Sequence, residues 1–135
     1  MRFMMIMHPA VRDEDWNPTP EAVAAMSAYN EELTKAGVLL ALDGLTPPSE
    51  GARVRFAGDR PTVTDGPFTE AKELIGGYWL IQAKSKEEAV QWATRCPAAD
   101  GDMIEVRRIY EMSDFSPEVQ DAAQLSQTPP EQTSA

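Results

Sequence analysis

The fold is set by residues 1–8, which read MRFMMIMH. This run is almost continuously apolar and too short for a stable helix, so we interpret it as a central β-strand. Its side chains alternate between two faces, with Phe3, Met5 and Met7 on one and Met4 and Ile6 on the other. Both faces require cover, and helices of the same chain can cover only one. We therefore expect a second copy of the chain to cover the other face, which makes the protein a homodimer.

The segments after this strand alternate between helical and extended patterns. Thr19-Pro20-Glu21 is typical of a helix start, and the helix is predicted to run to Lys35. Its core-facing positions are Val23, Met26, Tyr29 and Leu33. Strands are predicted over residues 38–45, 52–57, 62–64, 76–84 and 103–112, with a second helix opened by a capping box at Ser85 and ending at Pro97. This order predicts an α+β fold, a ferredoxin-like β-α-β-β-α-β with an inserted β-hairpin.

Length, charge and cysteine content exclude several classes of protein. The 135 residues suit one domain, over residues 1–113, followed by an acidic and largely disordered tail over 114–135 with a short helix near 116–124. The net charge is −10 and the basic residues are scattered, which argues against nucleic-acid or membrane partners. The single cysteine, Cys96, suits a reducing compartment, and no signal peptide or membrane span is evident, so we expect a cytoplasmic protein.

A second informative stretch is the tetrapeptide Asp65-Gly66-Pro67-Phe68, which we call the DGPF turn. Gly66 permits a positive φ or the close approach of another chain, and Pro67 fixes its own φ near −65°. Three ionisable side chains follow within five residues: Glu70, Lys72 and Glu73. We expect a rigid, charged turn at the end of the sheet. The structural alternative is that Asp65 caps nearby backbone amides and the other charges face water.

The chain resembles the DGPF-domain proteins of the bacterial YCII-related superfamily. The resemblance covers residues 1–112 and includes the opening strand, Tyr29, Ala36-Gly37, residues 52–55, 63–73, Gly76-Gly77-Tyr78 and residues 104–107. It implies a ferredoxin-like fold that pairs into a dimeric α/β barrel, and it implies no settled reaction. Members of this family often accompany extracytoplasmic-function sigma factors, which implies a sensor or accessory role as one alternative.

The catalytic pair of better-studied branches of the superfamily does not carry over. Those branches are associated with a histidine on the first helix and an acid near an Asp-Pro after the second helix. In this chain Tyr29 stands near the first place, and Cys96-Pro97 stands at the second. A catalytic assignment must therefore rest on other residues.

His8 and Asp65 are the candidate catalytic residues. His8 is the only histidine, which excludes a multi-histidine metal site, and histidine exchanges protons near neutral pH. The end of a central first strand can lie near the turn that carries Asp65, so proton transfer between the two is geometrically feasible. The structural alternative is that His8 is a rim residue at a strand end.

Arginines and aromatic residues are the candidate ligand-binding groups. Arg53 and Arg55 share a strand face, and Arg107 lies on a strand near the centre of the sheet. They suit an anionic or carbonyl-bearing small molecule in a cleft between two sheets, with Tyr29, Tyr78 and Phe68 as walls. Gly66, Pro67, Glu70, Lys72 and Glu73 complete the predicted ligand-binding set. The structural alternative pairs the arginines with Glu70, Glu73 or Glu105 in salt bridges.

No nucleotide, zinc or hydrolase motif occurs in the chain, so we predict no cofactor and no metal, a carboxylate site at Asp65, Glu70 and Glu73 being the weakest alternative. We interpret the protein as a small-molecule binder and a cofactor-free enzyme of the isomerase or lyase type, by analogy with other proteins of this fold. The alternatives are a ligand-binding regulatory module without catalysis and a purely structural dimer.

Overall fold

The computed structural model describes residues 1–66 and 74–123. Six strands and three helices follow one another in this part of the chain. They are β1 (Arg2–His8), α1 (Pro20–Lys35), β2 (Leu39–Gly44), β3 (Ala52–Ala57), β4 (Arg60–Asp65), β5 (Gly77–Gln82), α2 (Lys86–Thr94), β6 (Met103–Arg108) and α3 (Pro117–Ala122). The mixed α+β architecture that the sequence predicts is confirmed.

Four of the strands form one antiparallel sheet in the order β2-β5-β1-β6. Strand β1 lies inside it, between β5 and β6, as its apolar sequence predicts. With the β3–β4 hairpin set aside, this is the strand order of a ferredoxin-like fold. The hairpin forms a separate two-stranded sheet, joined by a two-residue turn in which Gly58 takes a φ of +62°.

Side-chain caps fix the start of both long helices. The Thr19 hydroxyl accepts a hydrogen bond from the Ala22 amide at 3.1 Å, and Pro20 occupies the first helical position. The Ser85 hydroxyl accepts from the Glu88 amide at 3.1 Å, while the Glu88 carboxylate accepts from the Lys84 amide at 2.8 Å. Helix α1 ends before Gly37, whose φ is +73°.

The core lies between the two long helices and one face of the sheet. Phe3, Met5 and Ile81 from the strands are at most 1% exposed, and Leu33 of α1 and Ala89 of α2 are fully buried. We call this side the helix face, and the other side the open face. On the open face, Met4, Ile6 and Leu80 are only partly buried and lie outside the core cluster. The predicted division of β1 into two faces is confirmed.

Two local expectations are corrected. Val23 was expected in the core but is 48% exposed, since Met26, Tyr29 and Leu33 alone fill the helical stripe that contacts the sheet. Strand β6 ends at Arg108 rather than at residue 112. The Asp114 carboxylate accepts two hydrogen bonds from the Arg108 guanidinium and one from the Glu111 amide, so the chain turns there instead of staying extended.

One end of the sheet gathers the segments on which the candidate site depends. His8 ends β1, Gly44 ends β2, and Gly77 and Met103 begin their strands at the same end. The Gly76 amide donates to the Met7 carbonyl at 2.8 Å, and the Leu45 amide donates to the Gly76 carbonyl at 2.9 Å. These two backbone hydrogen bonds therefore link β1, β2 and β5 just before the loops begin.

Candidate functional site

The end of the β3–β4 hairpin is held against the loop that precedes it. The Gly66 amide donates to the Gly51 carbonyl at 3.0 Å. A β-carbon at position 66 would overlap with the Pro48 carbonyl and lie 2.9 Å from the Ser49 Cα. The φ of Gly66 is not positive, so its backbone conformation does not require glycine. Glycine is required because two backbones approach each other closely at this position. The first two residues of the DGPF turn are therefore fixed in place.

A cavity of about 410 Å³ lies beside this turn. We call it the turn cavity; it is lined by Leu45, Thr46, Pro47, Pro48, Gly51, Ala52, Arg53, Leu74 and Ile75. Arg53 is the only charged residue among the lining residues that the structure describes. This residue is partly buried and already interacts with another group of the protein. The cavity thus combines mostly apolar walls with one positioned guanidinium group.

The structure places the predicted residues around the turn at different depths. Asp65 ends β4 and is exposed. Arg55 lies on the same face of β3 as Arg53 but is exposed and does not line the turn cavity. Five predicted residues lie outside the described part of the chain: Pro67, Phe68, Glu70, Lys72 and Glu73.

His8 has two buried ring nitrogens, and neither has a hydrogen-bond partner in the part of the chain that the structure describes. It sits at the end of β1 on the open face, opposite Met103 and next to Gly76, which offers no side chain. Buried polar groups without a partner are uncommon in folded proteins and cost stability. The structure therefore shows no hydrogen bond between His8 and Asp65, and the proposed proton-transfer pair remains a prediction.

Arg107 stands apart from the turn cavity. Its guanidinium is 3.6 Å from the Glu105 carboxylate, and the two side chains are 73% and 42% exposed. The ion-pair alternative from the sequence is the one that the structure shows for this arginine. An exposed pair of this kind contributes little to stability.

The two predicted tyrosine walls lie on opposite faces of the sheet. Tyr29 is 3% exposed in the core, its hydroxyl donates to the Trp92 carbonyl at 2.6 Å, and burial raises the pKa of this phenol. Tyr78 lies on the open face, where its hydroxyl donates to the Asp43 carboxylate at 2.7 Å and this hydrogen bond raises its pKa. The two side chains cannot line a single cleft.

Asp43 and the residues 45–51 were not predicted as part of a site. Asp43 holds the Tyr78 hydroxyl, and the loop after β2 supplies most of one wall of the turn cavity. The Pro47-Pro48 pair is the sequence feature that indicates this wall. Two consecutive prolines stiffen a loop and leave its carbonyls free to pack against another backbone.

Cys96 has the structural role expected of a half-buried thiol. Its sulfur lies 3.9 Å from the Met26 sulfur, and burial together with the charge of Asp102 raises the pKa of the thiol to about 11. A thiol that holds its proton this tightly is a poor nucleophile.

The described residues contain no group of three or more His, Cys, Asp or Glu side chains that could hold a metal ion. Within residues 1–66 and 74–123, no helix has the length and apolar content to cross a bilayer.

Comparison with known proteins identifies the family of the chain. The chain is 35% identical over 68 residues to an uncharacterized protein of Rhizobium meliloti (strain 1021), a match that covers 50% of this chain and 55% of that protein. The chain thus spans about half the length of this curated relative. A family model described as the YCII-related domain matches residues 1–113. The chain therefore belongs to the YCII-related domain family.

Proposed function

We propose that this YCII-related protein binds a small anionic or carbonyl-bearing molecule in the turn cavity. The observation that carries the proposal is that the Arg53 guanidinium is the one charged group among the described lining residues. A guanidinium presents a planar fork of donors that matches a carboxylate or a carbonyl oxygen. The apolar walls from Leu45, Leu74 and Ile75 suit the remainder of a small organic molecule.

The volume and the fixed backbone limit the size of the ligand. About 410 Å³ falls within the lower part of the range typical of small-molecule sites, roughly 300–1,000 Å³. Because Gly66 packs directly on Pro48 and bonds to Gly51, the wall next to the DGPF turn has little freedom to widen. A ligand with one aromatic ring or a short branched chain fits these limits.

The proposal includes a homodimer that covers the open face of the sheet. Met4, Ile6 and Leu80 lie there outside the core, where apolar side chains gain stability by leaving water. The apolar face of the hairpin is also bare, with Phe56 83% exposed and Val63 64% exposed. A second copy supplies the matching apolar surface, and a two-fold axis lets each subunit cover the other.

Binding without catalysis is the form of the proposal that the geometry supports best. An isomerase or lyase transfers a proton, so it requires an acid and a base within reach of one ligand. Among residues 1–66 and 74–123 the His8 ring nitrogens have no hydrogen-bond partner, and Asp65 is exposed at the strand end. Proton transfer by these two residues is the second candidate function, and a regulatory role beside a sigma factor is one use of a protein that only binds.

Isothermal titration with benzoate tests the binding site. We expect saturable binding to the wild type and a loss of about 10- to 100-fold in affinity for Arg53→Gln, since a hydrogen bond to a charged group contributes about 1.5–3 kcal/mol. Arg55→Gln is the matched control, because Arg55 lies on the same strand face but outside the cavity. Equal effects of the two substitutions, or no binding at all, would refute the site.

A deuterium-exchange measurement separates catalysis from binding. In D2O, an enzyme of the isomerase type would exchange the protons next to the carbonyl of phenylpyruvate faster than buffer does, and Asp65→Asn would abolish the acceleration. If phenylpyruvate binds and its exchange stays at the buffer rate, the protein is a binding module.

A further inference from the structure

A second cavity, of about 260 Å³, lies on the helix face at the same end of the sheet. We call it the glycine cavity, because two paired glycines, Gly44 of β2 and Gly77 of β5, form part of its lining. Strand alternation puts both on the side of Leu42 and Trp79, where other positions carry large side chains. A β-carbon built on Gly44 would meet nothing within 4 Å. The absence of a side chain at Gly44 therefore leaves space open, whereas a β-carbon on Gly77 would lie 2.7 Å from the Asp43 carbonyl oxygen.

Asp43, Tyr78 and Asn30 are the polar residues of the described lining, and the other side chains of the glycine cavity are apolar and adaptable. Met7 comes from β1, Met26 from α1 and Trp79 from β5. Methionine side chains are flexible and polarisable, so they adjust to ligands of different shape and contact aromatic rings favourably. The volume is just below the roughly 300 Å³ at which drug-sized sites begin, so the cavity suits a molecule of about one ring.

The Asn30 side chain lines the glycine cavity in a defined orientation. Asn30 follows Met26 by one helical turn, and its side-chain oxygen accepts a hydrogen bond from the Trp79 indole nitrogen at 2.8 Å. Since the indole nitrogen can only donate, this bond identifies which end of the amide is oxygen. Within residues 1–66 and 74–123 the Asn30 NH2 group has no hydrogen-bond partner. Its protons are available to a ligand.

We infer that the glycine cavity binds a small neutral molecule that carries one hydrogen-bond acceptor, an aromatic ketone or a carbonyl compound of similar size. The acceptor bonds to the Asn30 NH2 group and the ring packs between the two methionines and Trp79. The net charge of −10 disfavours an anion where no cationic side chain lines the described cavity. This chemistry differs from that proposed for the turn cavity, where Arg53 supplies a charge.

Three variants test the inference. Gly44→Leu fills the cavity without backbone strain, because the built β-carbon meets open space and the φ of Gly44 is not in the left-handed region. Asn30→Asp retains an oxygen for the Trp79 indole and removes the donor. Ala41→Leu is the control, since it adds bulk to the opposite face of the same strand.

The measurement is a two-dimensional NMR titration with acetophenone, followed at the Asn30 side-chain NH2 and Trp79 indole signals. We expect saturable shifts in the wild type and in Ala41→Leu, no shifts in Gly44→Leu, and an affinity lower by about 3- to 10-fold in Asn30→Asp. Ethylbenzene, which has the same ring and no acceptor, should bind more weakly than acetophenone.

Three results would overturn the inference. They are the absence of saturable shifts in the wild type, unchanged binding in Gly44→Leu, and equal affinity for ethylbenzene and acetophenone. Should Gly44→Leu not fold, Asn30→Asp and the ethylbenzene comparison decide the matter. Arg53→Gln should leave the acetophenone titration unchanged, so a failure of this site and a failure of the turn cavity are distinguishable.

Discussion

Gly66 lies so close to Pro48 that a β-carbon at position 66 would overlap with the Pro48 carbonyl. This contact joins the end of the β3–β4 hairpin to the loop that walls the turn cavity, and a hydrogen bond from Gly66 to Gly51 reinforces it. Gly66 therefore acts as the fixed side of the proposed site, because the obstacle to its movement is the backbone of residues 48 and 49.

We expect Gly66→Ala to destabilise the protein by about 1–3 kcal/mol, the usual cost of forcing atoms into a packed region that cannot yield. Gly51→Ala is the matched control, since its β-carbon would lie 3.4 Å from the same Pro48 carbonyl oxygen, an ordinary contact. Urea denaturation measures both. If the two substitutions have the same effect, the close approach at Gly66 does not constrain the fold.

The unpartnered nitrogens of His8 predict that an apolar replacement is tolerated. Removing a buried polar group that lacks a hydrogen bond relieves a penalty of about 1–3 kcal/mol, less the packing contacts that are lost with the imidazole ring. We therefore expect His8→Leu to leave the free energy of unfolding unchanged or raise it by about 1 kcal/mol. A clear loss of stability would mean that the imidazole makes a contact that the buried nitrogens do not reveal.

Cys96 predicts a loss of stability at alkaline pH. Burial, followed by the charge of Asp102, raises the pKa of this thiol from 9.0 to about 11, so the folded state holds the proton more tightly than the unfolded state does. The stability that the folded state gains from the protonated thiol is complete below pH 9 and is lost as the pH rises from 9 to about 11. Tyr29, whose pKa is raised by burial, adds a further loss above pH 10.

The measurement is the urea midpoint at intervals between pH 8 and pH 11. For the wild type we expect the decline to begin near pH 9, and for Cys96→Ala we expect it to begin about one pH unit later. An identical pH profile in the two proteins would show that the thiol is not protected by burial.

The open face of the sheet predicts the oligomeric state. We expect the wild type to sediment as a dimer of two 14.9 kDa chains at micromolar concentration. Ile6→Lys should shift it to a monomer, because a charge would lie inside an apolar interface. Val23→Lys is the control, since Val23 is 48% exposed on α1, away from this face. A wild type that stays monomeric at all concentrations would contradict the proposed dimer.

The sequence predicted the fold well because the signals that determine it are local. The alternation in residues 1–8 and the caps at Thr19 and Ser85 each depend on a few neighbouring residues, and the structure contains all three. Val23 was misassigned because helical periodicity defines a stripe but not its width, which depends on how closely the sheet approaches.

The site was harder to predict because it depends on contacts between distant parts of the chain. The glycine cavity requires that Gly44 and Gly77 pair across two strands, and the orientation of Asn30 depends on Trp79, 49 residues away. Alternation did place Arg53 and Arg55 on one face, yet only the packing of residues 45–51 distinguishes the arginine that lines a cavity from the one that faces water. Likewise, nothing in the spacing of Tyr29 and Tyr78 shows that the sheet separates them.

Ligand binding at Arg53 is tested directly by a crystal soaked with 4-bromobenzoate, with data recorded at the bromine absorption edge. We expect an anomalous peak inside the turn cavity, with the carboxylate at the Arg53 guanidinium, and no such peak in crystals of Arg53→Gln. A bromine peak elsewhere on the molecule, or the same peak in the Arg53→Gln crystals, would contradict this expectation.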